Sequence, residues 1–287
     1  MKIIKPSATI IEDELSELSI YQRIDACSAI CYQRPPKPTE EEAQEFCRKM
    51  LSVKHMSTLE MARISVMLPT RNADNFLDSK YIDCEPVSFG DCCVSGSVRA
   101  FMELEGYWMD MLKEGFLAYH YPIFFGNYVT GIDFSSVRFA LPGEIPWQHK
   151  HVAARFIVNR AVSHELVRHR PCTFLQESQR YCRYEDDVVF IEPLWAQRGD
   201  WLRSEWLKDM ERDEERYKFR LLHKLSPQEA REKLPNSTKT ELICYASLPQ
   251  WKHMFDLRCS PAADPEMRRV MVPLREEFKE KYKEVEW

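Results

Sequence analysis

VAARFIVNRAVSHELVRHRPCTFLQESQRYCRY, residues 152–184, is the stretch whose reading sets the fold class. Within it ARFIV, from Ala154, is compact, apolar and partly β-branched, which predicts a strand. NRAVSHELVRHR follows with helical spacing. Val162 and Leu166 lie four apart on one face, while Arg160, His164 and Arg168 recur at four-residue steps on another. A strand thus runs straight into a helix that presents a core stripe and a cationic stripe.

Outward from this stretch the same mixture of elements continues. On the amino-terminal side, the residues through Gln33 read as a strand or short helix followed by a helix, interrupted by RPPKP at Arg34–Pro38. Thr39 opens TEEE, a capping box with Glu42 at the third helical position, and the helix it begins is expected to reach about Val53. RISVMLP, residues 63–69, predicts a strand. Thr70 to Gln148 reads as a long irregular stretch with a helix from about Ser95 to Lys113 and an aromatic loop, YHYPIFFGNY. No Ser, Gly or Pro linker sets it off, so 1–287 is expected to be a single domain with an insertion at about 70–150.

On the carboxyl-terminal side, DVVFIEPLW from Asp187 predicts another strand. A long helix is expected at about 200–225, with Leu202, Trp206 and Met210 in phase. Ser226-Pro227-Gln228-Glu229 is a second capping box, with proline at its favoured first helical position, and its helix ends before Pro235. Thr240 to Arg258 reads as helical. So does Pro265 to Val285, where Met267, Met271, Leu274 and Phe278 alternate by four and three. The fold class expected is α+β.

Composition narrows the function. Forty Lys and Arg against 45 Asp and Glu leave a net charge of −5, which argues against a basic nucleic-acid-binding coat. No apolar run is long enough for a membrane span, and the amino terminus reaches acidic residues too early for a signal peptide, so the expected location is cytoplasmic. The eight glycines form neither GxGxxG nor GxxxxGK. If phosphates are bound, arginines must hold them. The ten cysteines contain no CxxC and are expected to be reduced thiols, mostly in the core.

The densest chemistry lies between Arg160 and Arg183. Five arginines and two histidines face only Glu165 and Glu177 there, interleaved with apolar residues that imply partial burial. Buried guanidinium groups require carboxylate or phosphate partners. A zinc hydrolase is disfavoured, because His169 follows His164 by five residues and the two imidazoles would stand roughly 140° apart on a helix; no metal site is expected. Cys172, next to Arg170, is open to reading as an activated thiolate or as a buried structural thiol. A nucleic-acid clamp lacks the aromatic pattern of a recognition module.

RHR, seven residues and then Ser, from Arg168 to Ser178, resembles the signature of the flavin-dependent thymidylate synthases. RAVSHELVRHR and QRYCRY on either side resemble the same family, as do HMSTLE (His55–Glu60), VSGSVRAF (Val94–Phe101), EAREKLP (Glu229–Pro235) and WKHMFDLR (Trp251–Arg258), in the family's order. The resemblance implies a thymidylate synthase-complementing fold, a twisted, mainly antiparallel sheet flanked by helices. It implies reductive methylation of dUMP to dTMP, with methylenetetrahydrofolate as one-carbon donor and FAD, reduced by NADPH, as hydride source. It also implies a homotetramer with sites between subunits, and no need for a cysteine nucleophile.

Carried over by position, Ser57, Arg168, His169, Arg170, Gln176 and His253 would contact FAD, with His55 near flavin and folate. Glu165, Leu166, Val167, Arg168, Gln176, Glu177, Ser178, Gln179, Arg180 and Arg231 would hold dUMP, Ser178 and Arg180 at its phosphate. Arg258 would sit at the uracil ring as the catalytic residue and favour its ionised form. Three positions depart from the pattern: Met61 where a histidine is frequent, and Ser247 and Pro249 where asparagine and arginine are common. The alternative they raise is a divergent relative that binds flavin or nucleotide but lacks the methylation step.

Overall fold

The strand expected at Ala154 runs from His151 to Asn159, and the Asn159 side chain ends it by accepting a 2.9 Å bond from the Val162 N–H, which caps the helix Arg160–Leu166. This computed structural model describes residues 1–70, 81–88, 90–105 and 110–287. They form two compact units, one of residues 1–14, 28–35 and 152–287, the other of residues 15–27 and 36–151. The stretch of about 70–150 that the sequence reads as an insertion falls among the residues of the second unit.

The first unit is built on a four-stranded sheet in the order Ser7–Ile10, His151–Asn159, Lys239–Ser247, Thr173–Gln176. Both outer strands pair antiparallel with their neighbours, Ala8 opposite Phe156 and Phe174 opposite Cys244. A separate parallel pair joins Lys2–Ile4 to Val189–Ile191. Lys239–Ser247 corrects the helix expected from Thr240. Residues 240–246 are all buried, so the strand shows no polar and apolar alternation, and an apolar run buried on both faces cannot be told from a helix by period alone.

The helix begins only at Leu248, where the Ser247 Oγ accepts from the Gln250 N–H and Pro249 occupies the first turn. Two of the family departures thus have a structural use here. Leu248–Arg258 packs on the helix Pro265–Lys281, and fully buried Trp251 stacks near Phe156 and Phe255 while its Nε1 donates to the Val152 carbonyl at 3.0 Å. The Met267, Met271, Leu274 and Phe278 stripe is buried as its spacing predicts. The long helix, Asp200–Leu222, buries Trp206 and Met210 as expected.

In the second unit, Thr39 caps the helix Glu40–Ser52, as the capping box predicts. A second four-stranded antiparallel sheet runs Ile82–Ser88, Asp91–Ser97, Arg63–Pro69, Arg138–Phe139. The stretch read as irregular therefore holds a hairpin. A Cβ at Gly96 would lie 2.2 Å from Ile82 Cδ1, so any larger residue there would force the Ile82 side chain to move. The helix expected at about Ser95–Lys113 is shorter, Val98–Glu103, with a π-helical segment at Asp110–Leu117; residues 106–109 of that expectation lie outside the described residues. The aromatic loop contributes a short helix, Pro122–Phe125, with Phe124 buried beside Tyr21. Met61 is fully buried, and its carbonyl accepts from Arg23 Nε at 2.7 Å.

Candidate active site

The Arg160–Leu166 helix stops two residues before the Arg168 that ends its polar stripe. Bonds of the three-residue type, Arg168 N–H to Glu165 O and His169 N–H to Leu166 O, close its end, and His169 Nδ1 returns to the same Leu166 carbonyl at 2.8 Å. Arg168 thus leaves the helical row that Arg160 and His164 share. With the proton assigned to Nδ1, Nε2 of His169 is an acceptor, and it takes a 3.2 Å bond from Nε of Arg258. Burial first, then the neighbouring positive charge of Arg258, pushes the His169 pKa down and keeps the ring neutral.

Arg258 is the last residue of its helix, and its Nη1 donates to the Glu165 carboxylate at 2.9 Å. The pair is partly exposed, 22% for Arg258 and 31% for Glu165, so the guanidinium is fixed at one edge and accessible at another. Residues 93 apart in the sequence are joined by this contact. Leu166 is buried in the core and contributes its backbone, while Val167 is exposed.

Gln176 closes the adjacent strand. Its amide donates to Ser163 Oγ at 2.9 Å and Thr240 Oγ1 at 3.1 Å, so its carbonyl oxygen is the atom left to meet a ligand. Glu177 is only 2% exposed. Its carboxylate accepts from Tyr184 Oη, Lys239 Nζ and the Glu241 N–H at 2.6, 2.9 and 3.1 Å. That network is fully used by the protein, so the side chain anchors the turn that follows. Lys239 was not legible as part of the site, because nothing in its local sequence links it to Glu177.

In that turn the Ser178 N–H donates to Cys31 O, and its Oγ accepts from the Arg180 N–H. Arg180 is exposed, with Nε on Gln228 Oε1 at 3.0 Å, which brings it to the Pro227–Ala230 helix that leads into Arg231. Glu229 holds that helix start by accepting from the Ser226 N–H at 2.8 Å, as its capping box predicts. Gln179 Nε2 is buried with no hydrogen-bond partner among the described residues. Among those residues Arg168, Arg170 and Arg231 have no carboxylate partner either, so a surface that bears any of them carries donors in excess of acceptors. An anion with several oxygens satisfies such a surface.

His253 is exposed on the same helix as Arg258 and close enough to His169 to help depress its pKa. His55 and Ser57 stand in the second unit, at the start of the 3-10 segment Met56–Met61. Cys172 is buried, its Sγ 3.3 Å from Met254 Sδ and in contact with the buried Cys244 thiol. No group of His, Cys, Asp or Glu among the described residues could hold a metal ion. A Cys172→Ser variant is expected to keep product formation within about tenfold of the parent, a barrier change near 1.4 kcal/mol, with its melting temperature measured alongside. A loss above about three orders of magnitude in a folded, ligand-binding variant would instead make Cys172 the nucleophile.

Residues 144–282 match the protein family described as thymidylate synthase complementing protein. The chain is 32% identical over 123 residues to a flavin-dependent thymidylate synthase of Pyrococcus furiosus, covering 42% of this chain and 50% of that one. It is 31% identical over 140 residues to the enzyme of the same name from Corynebacterium efficiens, 43% and 55% of the two chains. With that of Pyrococcus abyssi it shares 29% identity over 157 residues, 51% and 64%. The chain thus spans about half the length of the first of these relatives. No helix among the described residues is long and apolar enough to cross a membrane.

Proposed function

We propose that this chain, whose residues 144–282 carry the thymidylate synthase complementing domain, is a flavin-dependent thymidylate synthase that converts dUMP to dTMP. The observation that carries the reading is the convergence of Arg258 with Glu165 and His169 beside the RHR motif. The names of the relatives support it independently.

The donor-rich surface fits both ligands. A nucleotide monophosphate brings nearly two negative charges, and planar guanidinium groups match its oxygens. In this reading Ser178, Arg180 and Arg231 hold the dUMP phosphate, and the backbone of Glu165–Arg168 and of Gln176–Arg180 shapes the nucleotide site, with Gln179 Nε2 supplying an uncommitted donor. Arg168, His169, Arg170, Gln176 and His253 would hold FAD; His55 and Ser57 carry the flavin and folate assignments of the second unit. Bound flavin supplies the hydride for the methylation, with NADPH as reductant and methylenetetrahydrofolate as the source of carbon. Self-association into a homotetramer belongs to the same proposal.

Arg258 cannot serve as a base, since its guanidinium stays protonated. It acts by stabilising negative charge on the pyrimidine as N3 loses its proton. Glu165 and neutral His169 fix its orientation in advance, so the charge is met without reorganisation.

Arg180→Ala is expected to weaken dUMP binding by about 1.5–3 kcal/mol, the range for a hydrogen bond to a charged group, while turnover at saturating dUMP stays near the parent's. Titration of dUMP together with steady-state rates separates the two quantities. The reading as a whole is tested by incubating the protein with FAD, removing free cofactor, and recording the visible spectrum and the released flavin. Retained FAD supports it; persistent absence of flavin contradicts it.

A further inference from the structure

Arg160 belongs to none of the assignments above, yet its setting is that of a ligand-binding group. Its backbone N–H is held by the Asn236 and Thr238 carbonyls at 3.0 and 3.1 Å, which fixes the start of its side chain against the segment that follows Arg231. Its Nη2 lies 3.3 Å from His164 Nε2, one turn along the same helix. The guanidinium is half-buried, and among the described residues no carboxylate lies within ion-pair distance of it. Glu177 is near enough to be felt, but its oxygens are taken by Tyr184, Lys239 and the Glu241 N–H.

Two further observations mark a missing acceptor. Burial pushes the Arg160 pKa down, and the positive charge of Arg231 adds to the shift, so two guanidinium groups repel one another across this face. Thr238 Oγ1, on the residue whose carbonyl holds Arg160, is buried without a hydrogen-bond partner among the described residues. A half-buried pair of like charges without a carboxylate between them is costly unless an anion joins it. Arg180 is tied through Gln228 to the short helix that leads into Arg231, so the anion site already assigned to Arg180 and Arg231 extends toward Arg160.

We propose that Arg160, backed by His164, is an additional phosphate-binding residue that selects nucleotides bearing a 5′-phosphate over the corresponding nucleosides. This rests on the reading of the protein as a dUMP-binding enzyme. Arg160 would join Arg231 and Arg180 in meeting the phosphate oxygens. The contact with His164 Nε2 restrains the guanidinium, which lessens the ordering needed on binding.

The test compares Arg160→Gln and Arg160→Lys with the parent, all loaded with FAD, by titrating dUMP and deoxyuridine at low and high salt. Arg160→Gln is expected to weaken dUMP binding at least about tenfold, as loss of a charge-assisted contact implies, with deoxyuridine binding unchanged and the salt dependence reduced. Arg160→Lys retains the charge without the planar fork and should fall between the two. Equal weakening of dUMP and deoxyuridine by both variants would overturn the inference, because it signifies a structural role. So would unchanged dUMP binding, or loss of FAD with dUMP affinity intact. A parent protein that takes up no dUMP would overturn the functional reading itself, whereas a parent that binds dUMP and variants that bind it equally well would remove only Arg160.

Discussion

Arg258→Ala is expected to lower dTMP formation at saturating dUMP by about two to three orders of magnitude, the cost typical of removing one preorganised donor from developing charge, with FAD uptake retained. The expectation follows from geometry. Arg258 ends its helix with Nε on His169 and Nη1 on Glu165, at 3.2 and 2.9 Å, and it is only partly exposed. A group held this firmly on two sides acts on charge as it forms, so its loss appears in turnover. Arg258→Lys keeps the charge but cannot span both partners, and should recover a minor part of the rate. Rates at saturating substrate, with dUMP and FAD titrations on the same preparations, make the comparison. A pure loss of dUMP affinity with unchanged turnover would show that Arg258 only anchors the nucleotide.

The second large effect is on stability and arises on the same helix. Trp251→Ala is expected to cost about 3–5 kcal/mol, the usual range for truncating a buried aromatic. Trp251 is fully buried, its ring lies 4.8 Å from Phe278 and 5.6 Å from Phe255, and its Nε1 bonds to the Val152 carbonyl. Alanine removes all of these contacts and leaves the Val152 carbonyl without that donor. Because Trp251 fixes the helix that carries His253 and Arg258, the folded fraction of the variant should also hold Arg258 less well. Denaturant unfolding measures the loss, and Trp251→Phe serves as the comparison that keeps an aromatic ring in place. A change below about 1 kcal/mol for Trp251→Ala would mean that the site's main support lies elsewhere.

The elements that were legible in the sequence are those whose signals are local. Thr39 with Glu42 and Ser226 with Glu229 marked helix starts because capping is a contact over three residues. The Met267 to Phe278 stripe marked a helix with one buried face. Lys239–Ser247 misled because a central strand buried on both faces lacks the alternation that identifies a strand. The hairpin from Ile82 to Ser97 was missed for a different reason: its partner strand is Arg63–Pro69, and Gly96 has meaning only when Ile82 lies opposite.

The candidate site divides along the same line. The RHR-to-Ser spacing is local and was visible, but its helix end was not, because the side-chain contribution from His169 to Leu166 depends on the turn actually formed. Arg258 was identified only through family resemblance, and its contacts with Glu165 and His169 required the fold. The same is true of Lys239 on Glu177 and of Arg160 near Arg231. Met61, Ser247 and Pro249 looked like lost ligands in the sequence; in the structure the first is core and the other two begin the helix that bears Arg258.

The most direct measurement of the central claim is product analysis of the purified protein incubated with dUMP, methylenetetrahydrofolate, FAD and NADPH, with each component omitted in turn. dTMP is expected in the complete mixture, and none when FAD or methylenetetrahydrofolate is left out. Protein that binds both FAD and dUMP yet forms no dTMP in the complete mixture would contradict that claim, and would identify the chain as a flavin- and nucleotide-binding relative without the methylation step.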